Sequence, residues 1–106
     1  MALNINKENY EKEIVQETKP VVIDVFATWC GPCQHMAPIF DELAKEMGDK
    51  YKFASLNVDE AREISVKYGI TSVPTFLFLK NNVIKGKIVG SMSKDDLKNK
   101  IKEFLG

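Results

Sequence analysis

The two cysteines of this chain, Cys30 and Cys33, lie three positions apart and are separated by Gly31 and Pro32. A deprotonated thiol is a nucleophile and also a metal ligand. In a compartment that keeps thiols reduced, cysteines more often serve metals or redox reactions than permanent disulfides. Pro32 restricts the backbone between the thiols, and Gly31 leaves room for another chain to approach. The spacing therefore predicts a reactive thiol site.

A helix that begins at Gly31 would place Cys30 at its cap, where a side chain accepts a hydrogen bond from a free backbone amide. Because Pro32 has no amide hydrogen, the amide of Cys33 is the donor left to face the Cys30 sulfur. The helix dipole stabilises an anion there by about 0.3–1 kcal/mol, so we expect Cys30 to ionise easily. Side chains three apart on a helix lie about 5–6 Å from each other. A small adjustment at the cap brings the pair within disulfide distance.

The neighbouring patterns predict the elements that hold these cysteines. Residues 21–27 form an apolar, β-branched run interrupted by Asp24, which predicts a central strand covered on both faces. Residues 31–47 repeat apolar side chains on one helical face, and Gly48 ends that helix. Cys30 lies between this strand and this helix, at the carboxyl end of the sheet where α/β proteins bind ligands.

The first half of the chain predicts four further elements. An extended piece around residues 3–5 precedes a short helix that Asn6 caps and Pro20 stops. Residues 53–58 predict a second interior strand, followed by a short helix capped by Asp59. Parallel pairing of these strands requires helical crossovers.

The second half predicts a hairpin and a last helix. Strands 75–80 and 83–89 are joined by Asn81 and Asn82, which tolerate positive φ. Residues 93–96 resemble a capping box and open the final helix. The order βαβαβ followed by ββα predicts an α/β fold with a central mixed sheet flanked by helices on both faces.

Length and composition limit the classes of function. A chain of 106 residues is expected to form a single domain, residues 1–106, because cores divide only beyond about 250 residues. Fifteen basic and fifteen acidic residues give zero net charge, so we expect no nucleic-acid partner. The longest apolar run, residues 76–79, is far too short for a membrane span. Residues 1–19 carry no secretory signal, which predicts a cytoplasmic protein.

The segment Trp29-Cys30-Gly31-Pro32-Cys33 resembles the active-site motif of the thioredoxin family. The resemblance extends over nearly the whole chain. Asp24 lies six positions before the first cysteine, and Pro38 lies five after the second. Residues 71–75, Thr-Ser-Val-Pro-Thr, resemble the family loop that carries a cis-proline, and Gly90 matches the glycine before the last helix.

This resemblance implies the thioredoxin fold and a protein disulfide reductase that works through a redox-active Cys30–Cys33 disulfide, with no bound cofactor and no metal. Cys30 would be the nucleophile, Cys33 the resolving thiol and Asp24 the proton acceptor and donor. The implied partners are a thioredoxin reductase that depends on NADPH or ferredoxin, and client proteins with disulfides. We expect the protein to be a monomer.

The resemblance also implies a groove for an extended peptide. The backbone of Val73 would pair with the client main chain. The sequence alone favours a trans Val73–Pro74 bond, since only about 5–6% of X-Pro bonds are cis, so the cis state rests on the resemblance. The residues implied for this substrate-binding groove are Trp29, Gly31, Pro32, Val73, Pro74 and Gly90.

Asp24 also has a physical interpretation of its own. A lone carboxylate in a covered strand must become neutral or find a donor. It lies about 10 Å down the strand, while Cys33 lies about one turn down the returning helix, so a water molecule could join them. Desolvation would raise its pKa towards neutrality, which suits a proton acceptor. The plainer alternative is an aspartate at the rim of the sheet.

Three positions depart from the family pattern. Ser55 stands where many bacterial relatives have a lysine that pairs with the buried aspartate. Phe26 replaces a common tryptophan and Gln34 a common lysine. We therefore expect Asp24 to be tuned by water and hydroxyl groups rather than by an ammonium.

Three alternatives are compatible with the sequence. Zinc needs three or four ligands, and the single histidine, His35, is expected at the surface, which leaves only a metal that bridges two chains. An oxidase or isomerase could use the same fold, although Gly-Pro between the cysteines favours a reductase. The third alternative is a binding module in which the cysteines take no part.

Overall fold

The computed structural model describes residues 2–106. The five strands are β1 (Leu3–Ile5), β2 (Val21–Phe26), β3 (Lys52–Asn57), β4 (Thr75–Lys80) and β5 (Val83–Val89). The α-helices are α1 (Gly31–Met47), α2 (Arg62–Lys67) and α3 (Lys94–Leu105), and a one-turn π-helix, Glu11–Val15, lies between β1 and β2. Within residues 2–106, no helix is long and apolar enough to cross a membrane.

The strands form one mixed sheet in the order β1-β3-β2-β4-β5. β2 pairs in parallel with β3 and antiparallel with β4, and β4 pairs antiparallel with β5. This confirms the predicted mixed sheet and the order βαβαβ followed by ββα. β2 ends at Phe26 rather than at residue 27, and β3 begins and ends one residue earlier than predicted. Strand β2 is central, so Asp24 lies between Ser55 on β3 and Phe76 on β4.

Alternate residues of β2 supply two separate cores, because successive side chains of a strand point to opposite faces. The first core joins Ile23 to the π-helix and α2. The second joins Val22 to apolar side chains of α1 and α3, including Phe40 and Leu97. Helices therefore cover both faces, as predicted. Asp24 shares the face of Val22, which is the face that α1 covers.

The predicted cap of α2 is wrong. This helix begins at Arg62 after Ala61, and no side chain accepts a hydrogen bond at the cap. Asn57 organises the preceding turn instead: its side-chain oxygen accepts from the Asp59 amide at 2.9 Å, and its carbonyl accepts from the Ala61 amide at 2.8 Å. An asparagine two residues before the proposed cap competes for the same local amides. The carboxylate of Asp59 is thereby free to act elsewhere.

The predicted helix capped by Asn6 and stopped by Pro20 is wrong in both bounds. The side-chain oxygen of Asn6 accepts hydrogen bonds from two following amides at 2.9 Å each, in the turn before the π-helix. The π-helix itself has Tyr10 at its cap with no side-chain cap hydrogen bond, and it ends at Val15.

Other local predictions hold. Asn81 and Asn82 have φ values of 52° and 61°, which makes the tight hairpin turn. Ser93 caps α3 by accepting from the Asp96 amide at 3.1 Å.

Candidate active site

Cys30 occupies the cap of α1. Its backbone is extended, with φ −92° and ψ 113°, and its sulfur accepts a hydrogen bond from the Cys33 amide at 3.2 Å. This is the cap geometry predicted from Pro32, which contributes no amide hydrogen. The Cα atoms of the two cysteines are 5.2 Å apart, and a disulfide joins their sulfurs. The chain therefore closes the pair without disturbing the first turn of the helix.

The disulfide is largely shielded from solvent, with 5% of Cys30 and 3% of Cys33 exposed. Both cysteines pack with Ala27 in a small apolar cluster at the end of β2. The Cys30 sulfur lies 3.8 Å from the carbonyl oxygen of Val73. The Val73–Pro74 peptide bond is cis, as the resemblance implies.

A cavity of about 420 Å³, here called the inner cavity, lies behind the disulfide and is lined by Cys33, Asp24, Ser55 and Asp41 among others. Only 4% of Asp24 is exposed, so the interpretation of Asp24 as a rim residue is wrong. Its Oδ1 atom is buried and has no hydrogen-bond partner among residues 2–106. Burial, followed by the negative charge of Asp41, raises the pKa of Asp24 to about 7.

Ser55, one of the departures from the family pattern, lines this cavity. Ser55 is half-buried and lies directly opposite Asp24 in the β2–β3 register. It contributes a hydroxyl and no charge, so nothing cationic at this position lowers the pKa of Asp24. Asp41 was not predicted as a site residue. This residue lies eleven positions after Cys30, on the helix whose inner face was predicted, and its spacing from Cys33 could have pointed to it.

A second cavity of about 560 Å³, here called the outer groove, is lined by Trp29, which precedes Cys30, and by Val73, whose carbonyl faces the Cys30 sulfur. Trp29 forms one wall and is 71% exposed. Its indole Nε1 donates a hydrogen bond to the Asp59 carboxylate at 3.0 Å. Residues of α2 and of the loop before β4 form the other side, including Arg62, Val66 and Val73.

The predicted groove residues fall into two groups. Trp29 and Val73 line the outer groove. Gly31 and Pro32 are exposed at the start of α1 and lie outside that lining, as do Pro74 and Gly90. These last two are joined to each other, since the Gly90 amide donates to the Pro74 carbonyl at 2.9 Å.

The contribution of α2 to the outer groove was not predicted. One signal was available: α2 follows β3, which is parallel to β2, so its first residues had to lie near the carboxyl end of β2 and near Cys30. His35 is exposed on α1, as expected. Across the described residues 2–106, no group of three histidine, cysteine or acidic side chains could hold a metal ion.

A disulfide at the first turn of a helix, with a buried carboxyl group behind it and an open groove before it, has the form of a thiol–disulfide exchange site. The family described as Thioredoxin matches residues 1–103 of the chain. The chain therefore belongs to the thioredoxin family, and its mixed sheet with flanking helices is the thioredoxin fold.

Individual relatives agree with this assignment. The chain is 41% identical over 101 residues to "Thioredoxin M-type, chloroplastic" of Pisum sativum, which covers 95% of this chain and 59% of the pea protein. It is 39% identical to "Thioredoxin" of Rickettsia felis, over 92% of both chains. It is 37% identical to "Thioredoxin" of Haemophilus influenzae, over 97% of this chain and 96% of the other. The chain thus spans about three fifths of the pea protein and nearly all of either bacterial one.

Proposed function

We propose that this protein is a protein disulfide reductase that exchanges its Cys30–Cys33 dithiol with disulfides of client proteins. The observation that carries the proposal is the cap of α1, where the Cys33 amide lies 3.2 Å from the Cys30 sulfur and the two sulfurs are bonded. A sulfur in this position is stabilised as an anion by the amide and by the helix dipole. Membership of the thioredoxin family supports the same chemistry.

In the first step, the Cys30 thiolate attacks one sulfur of the client disulfide. A bond forms between that sulfur and Cys30 Sγ, and the client disulfide breaks. The second client sulfur leaves as a thiolate and takes up a proton. The product is a mixed disulfide between Cys30 and the client.

In the second step, Cys33 gives up its proton and attacks Cys30 Sγ. The mixed disulfide breaks, and the client sulfur that was bonded to Cys30 leaves as a thiolate and takes up a proton. Asp24 is the proton acceptor, because it lines the inner cavity together with Cys33 and its pKa of about 7 suits proton transfer near neutrality. The client has gained two electrons and two protons, and the protein is left oxidised.

The reaction requires partners on both sides. A thioredoxin reductase, dependent on NADPH or on ferredoxin, returns the two electrons to the Cys30–Cys33 disulfide. The clients are proteins whose disulfides reach the outer groove and pair with the Val73 backbone. The protein acts as a monomer without a bound cofactor, in a reducing compartment such as the cytoplasm.

Trapping tests the proposal. With Cys33→Ser, the second step is blocked, and client proteins should accumulate as mixed disulfides on Cys30 that a strong reductant releases. Cys30→Ser is the matched control, because it keeps one thiol and removes the nucleophile, and it should trap nothing. Equal trapping by both variants, or none by Cys33→Ser, would contradict the proposal.

The direction of exchange is tested separately. Equilibration of the wild-type protein with glutathione buffers measures its reduction potential. A reductase should have a potential below about −200 mV, in the range where it can pass electrons to client disulfides. A higher potential would indicate an oxidase or isomerase on the same fold.

Replacement of both cysteines by serine separates a reductase, which loses its activity, from a binding module, which keeps it.

A further inference from the structure

Arg62 is the only arginine of the chain, and it lines the outer groove together with Trp29. Its side chain is exposed, and within residues 2–106 no carboxylate lies at ion-pair distance from it. It is the first residue of α2, the end of a helix at which a positive charge is not stabilised by the dipole. Neither an intramolecular ion pair nor helix stability therefore explains this charge.

Among the residues that line the outer groove, Arg62 is the one with a positively charged hydrogen-bond donor. Asp59 is the other charged residue of the lining, and one of its carboxylate oxygens already accepts the indole hydrogen bond of Trp29 at 3.0 Å. Val66, Ile70 and other apolar side chains form much of the remaining wall. A guanidinium presents five donors in a planar fork that matches a carboxylate.

The position of Val73 indicates where the reacting cysteine of a client would lie in the outer groove. The Val73 carbonyl lies 3.8 Å from the Cys30 sulfur, so a client strand held by the Val73 backbone would have its reacting cysteine at Cys30. Alternate side chains of an extended strand point to one face, so a residue near that cysteine would project towards α2. Both Val73 and Arg62 line the same groove.

We propose that Arg62 selects client disulfides that carry an aspartate or glutamate close to the reacting cysteine. The inference rests on the proposed reductase function and adds a substrate class to it. Asp59 alone would favour the reverse, a basic residue at that position, so the two groove charges make opposite predictions. The unpaired state of Arg62 favours the acidic client.

Peptide substrates test this inference. Each peptide holds one internal disulfide, and the set varies one residue near a cysteine as Glu, Gln or Lys, placed before the cysteine in one series and after it in the other. The reduced protein, freed of small thiols, is mixed with each peptide, and the second-order rate constant of peptide reduction is measured. In one series the Glu peptide should react about fivefold faster than the Gln peptide, as expected for a partly exposed charge pair, and the Lys peptide should be slowest.

Variants of Arg62 assign the preference to this side chain. Arg62→Gln should remove the preference for Glu, and Arg62→Glu should reverse it. Lys67→Gln is the matched control, because it removes one positive charge from α2 outside the groove lining, and it should keep the full preference. In the wild type, the preference should shrink towards one at 1 M salt, where the Debye length falls to about 3 Å.

The outcomes distinguish a failure of the role proposed for Arg62 from a failure of the proposed reductase function. Equal rates for all wild-type peptides, a preference for Lys, or a Glu preference that survives in Arg62→Gln would overturn the role of Arg62 and leave the reductase function intact. No reduction of any peptide, although the reduced dithiol is intact, would overturn the proposed function and the inference with it.

Discussion

The inner cavity and the outer groove both lie next to the Cys30–Cys33 segment, and they differ in their electrostatics. The inner cavity holds a carboxyl group, Asp24, that is only 4% exposed and whose pKa burial raises to about 7. The outer groove holds a tryptophan, Trp29, that is 71% exposed, and a charged arginine, Arg62, with no ion-pair partner among residues 2–106. The inner cavity borders Cys33, whereas the outer groove borders Val73, whose carbonyl lies 3.8 Å from the Cys30 sulfur.

This difference separates two tasks. Moving a proton near neutral pH needs a group whose pKa has been shifted, and burial in a low dielectric supplies that shift at a cost in stability. Receiving clients of many sequences needs open surface, where substitutions change stability little. We therefore expect changes in the inner cavity to alter stability and its pH dependence, and changes in the outer groove to alter client reduction alone.

The largest effect is expected for Asp24→Asn. Asp24 loses its proton near pH 3.8 in the unfolded chain and at about 7 in the folded protein, so the folded state binds more protons between these values. Stability therefore falls as pH rises from about 3.8 to 7, by about 4 kcal/mol in all. At pH 8 the oxidised variant should be more stable than the wild type by about this amount, and near pH 3 the two should be similar.

Denaturant unfolding at both pH values measures this difference. Asp49→Asn, at an exposed position, is the control and should change stability by less than about 0.5 kcal/mol. The same Asp24→Asn variant should release clients from the mixed disulfide more slowly. A variant that melts lower than the wild type at pH 8 and reduces clients at an unchanged rate would rule out a buried base.

The next effect is expected for Ser55→Lys, which places an ammonium opposite Asp24 across the β2–β3 pair. An opposite charge within about 4–6 Å lowers a carboxyl pKa by about 1–3 units. The Asp24 pKa should therefore fall, and the loss of stability on the alkaline side should become smaller. Ser55→Met, which has similar length and no charge, should leave the Asp24 pKa high. Titration of the Asp24 carboxyl by NMR distinguishes the two variants, and equal pKa values in both would contradict the expectation.

In the outer groove, Trp29→Ala should slow client reduction about tenfold, which corresponds to about 1.4 kcal/mol, because an aromatic wall is lost. Since Trp29 is 71% exposed, the free energy of unfolding should change by less than about 0.5 kcal/mol. Val83→Ala, at an exposed apolar position on β5, should change neither quantity. A Trp29→Ala protein that loses stability yet reduces clients normally would erase the contrast between the two cavities.

The smallest effect is expected for Asp41→Asn. The charge of Asp41 contributes to the raised pKa of Asp24, but burial is the larger cause. Removing it should lower the Asp24 pKa slightly and leave it above the ordinary value. Glu42→Gln, the next residue on α1, is a suitable control because its carboxylate pairs with Lys94 at 3.0 Å. If Asp41→Asn returned Asp24 to an ordinary pKa, burial would not be the main cause.

Several features of the site were predictable from short stretches of sequence. The cap of α1 follows from Cys30, Pro32 and Cys33, whose interactions span three residues. The hairpin at Asn81 and Asn82 follows from their tolerance of positive φ. The burial of Asp24 could be predicted from its apolar strand neighbours. The negative charge of Asp41, which also raises the Asp24 pKa, could not be predicted in the same way. Asp41 lines the same cavity as Asp24 only because helix α1 packs across the sheet.

Other features could not be predicted in this way. Asp59 looked like a helix cap, but Asn57 takes the local amides and leaves the Asp59 carboxylate to Trp29, thirty residues earlier in the chain. The cis state of the Val73–Pro74 bond was not favoured by the sequence itself. The short helix of Arg62 was expected, but its place in the wall of the outer groove was not.

The helices, the strands and the reactive cap of α1 follow from local sequence, because hydrogen bonds between residues a few positions apart depend only on local order and residue type. Which residues surround the disulfide depends instead on how the elements pack. Layers of sheet and helix pack through contacts distant in sequence, and that packing buries Asp24 beneath α1 and brings Trp29 to Asp59. Burial and the nearby charge of Asp41, which raise the pKa of Asp24, act on this residue only when those layers are packed together.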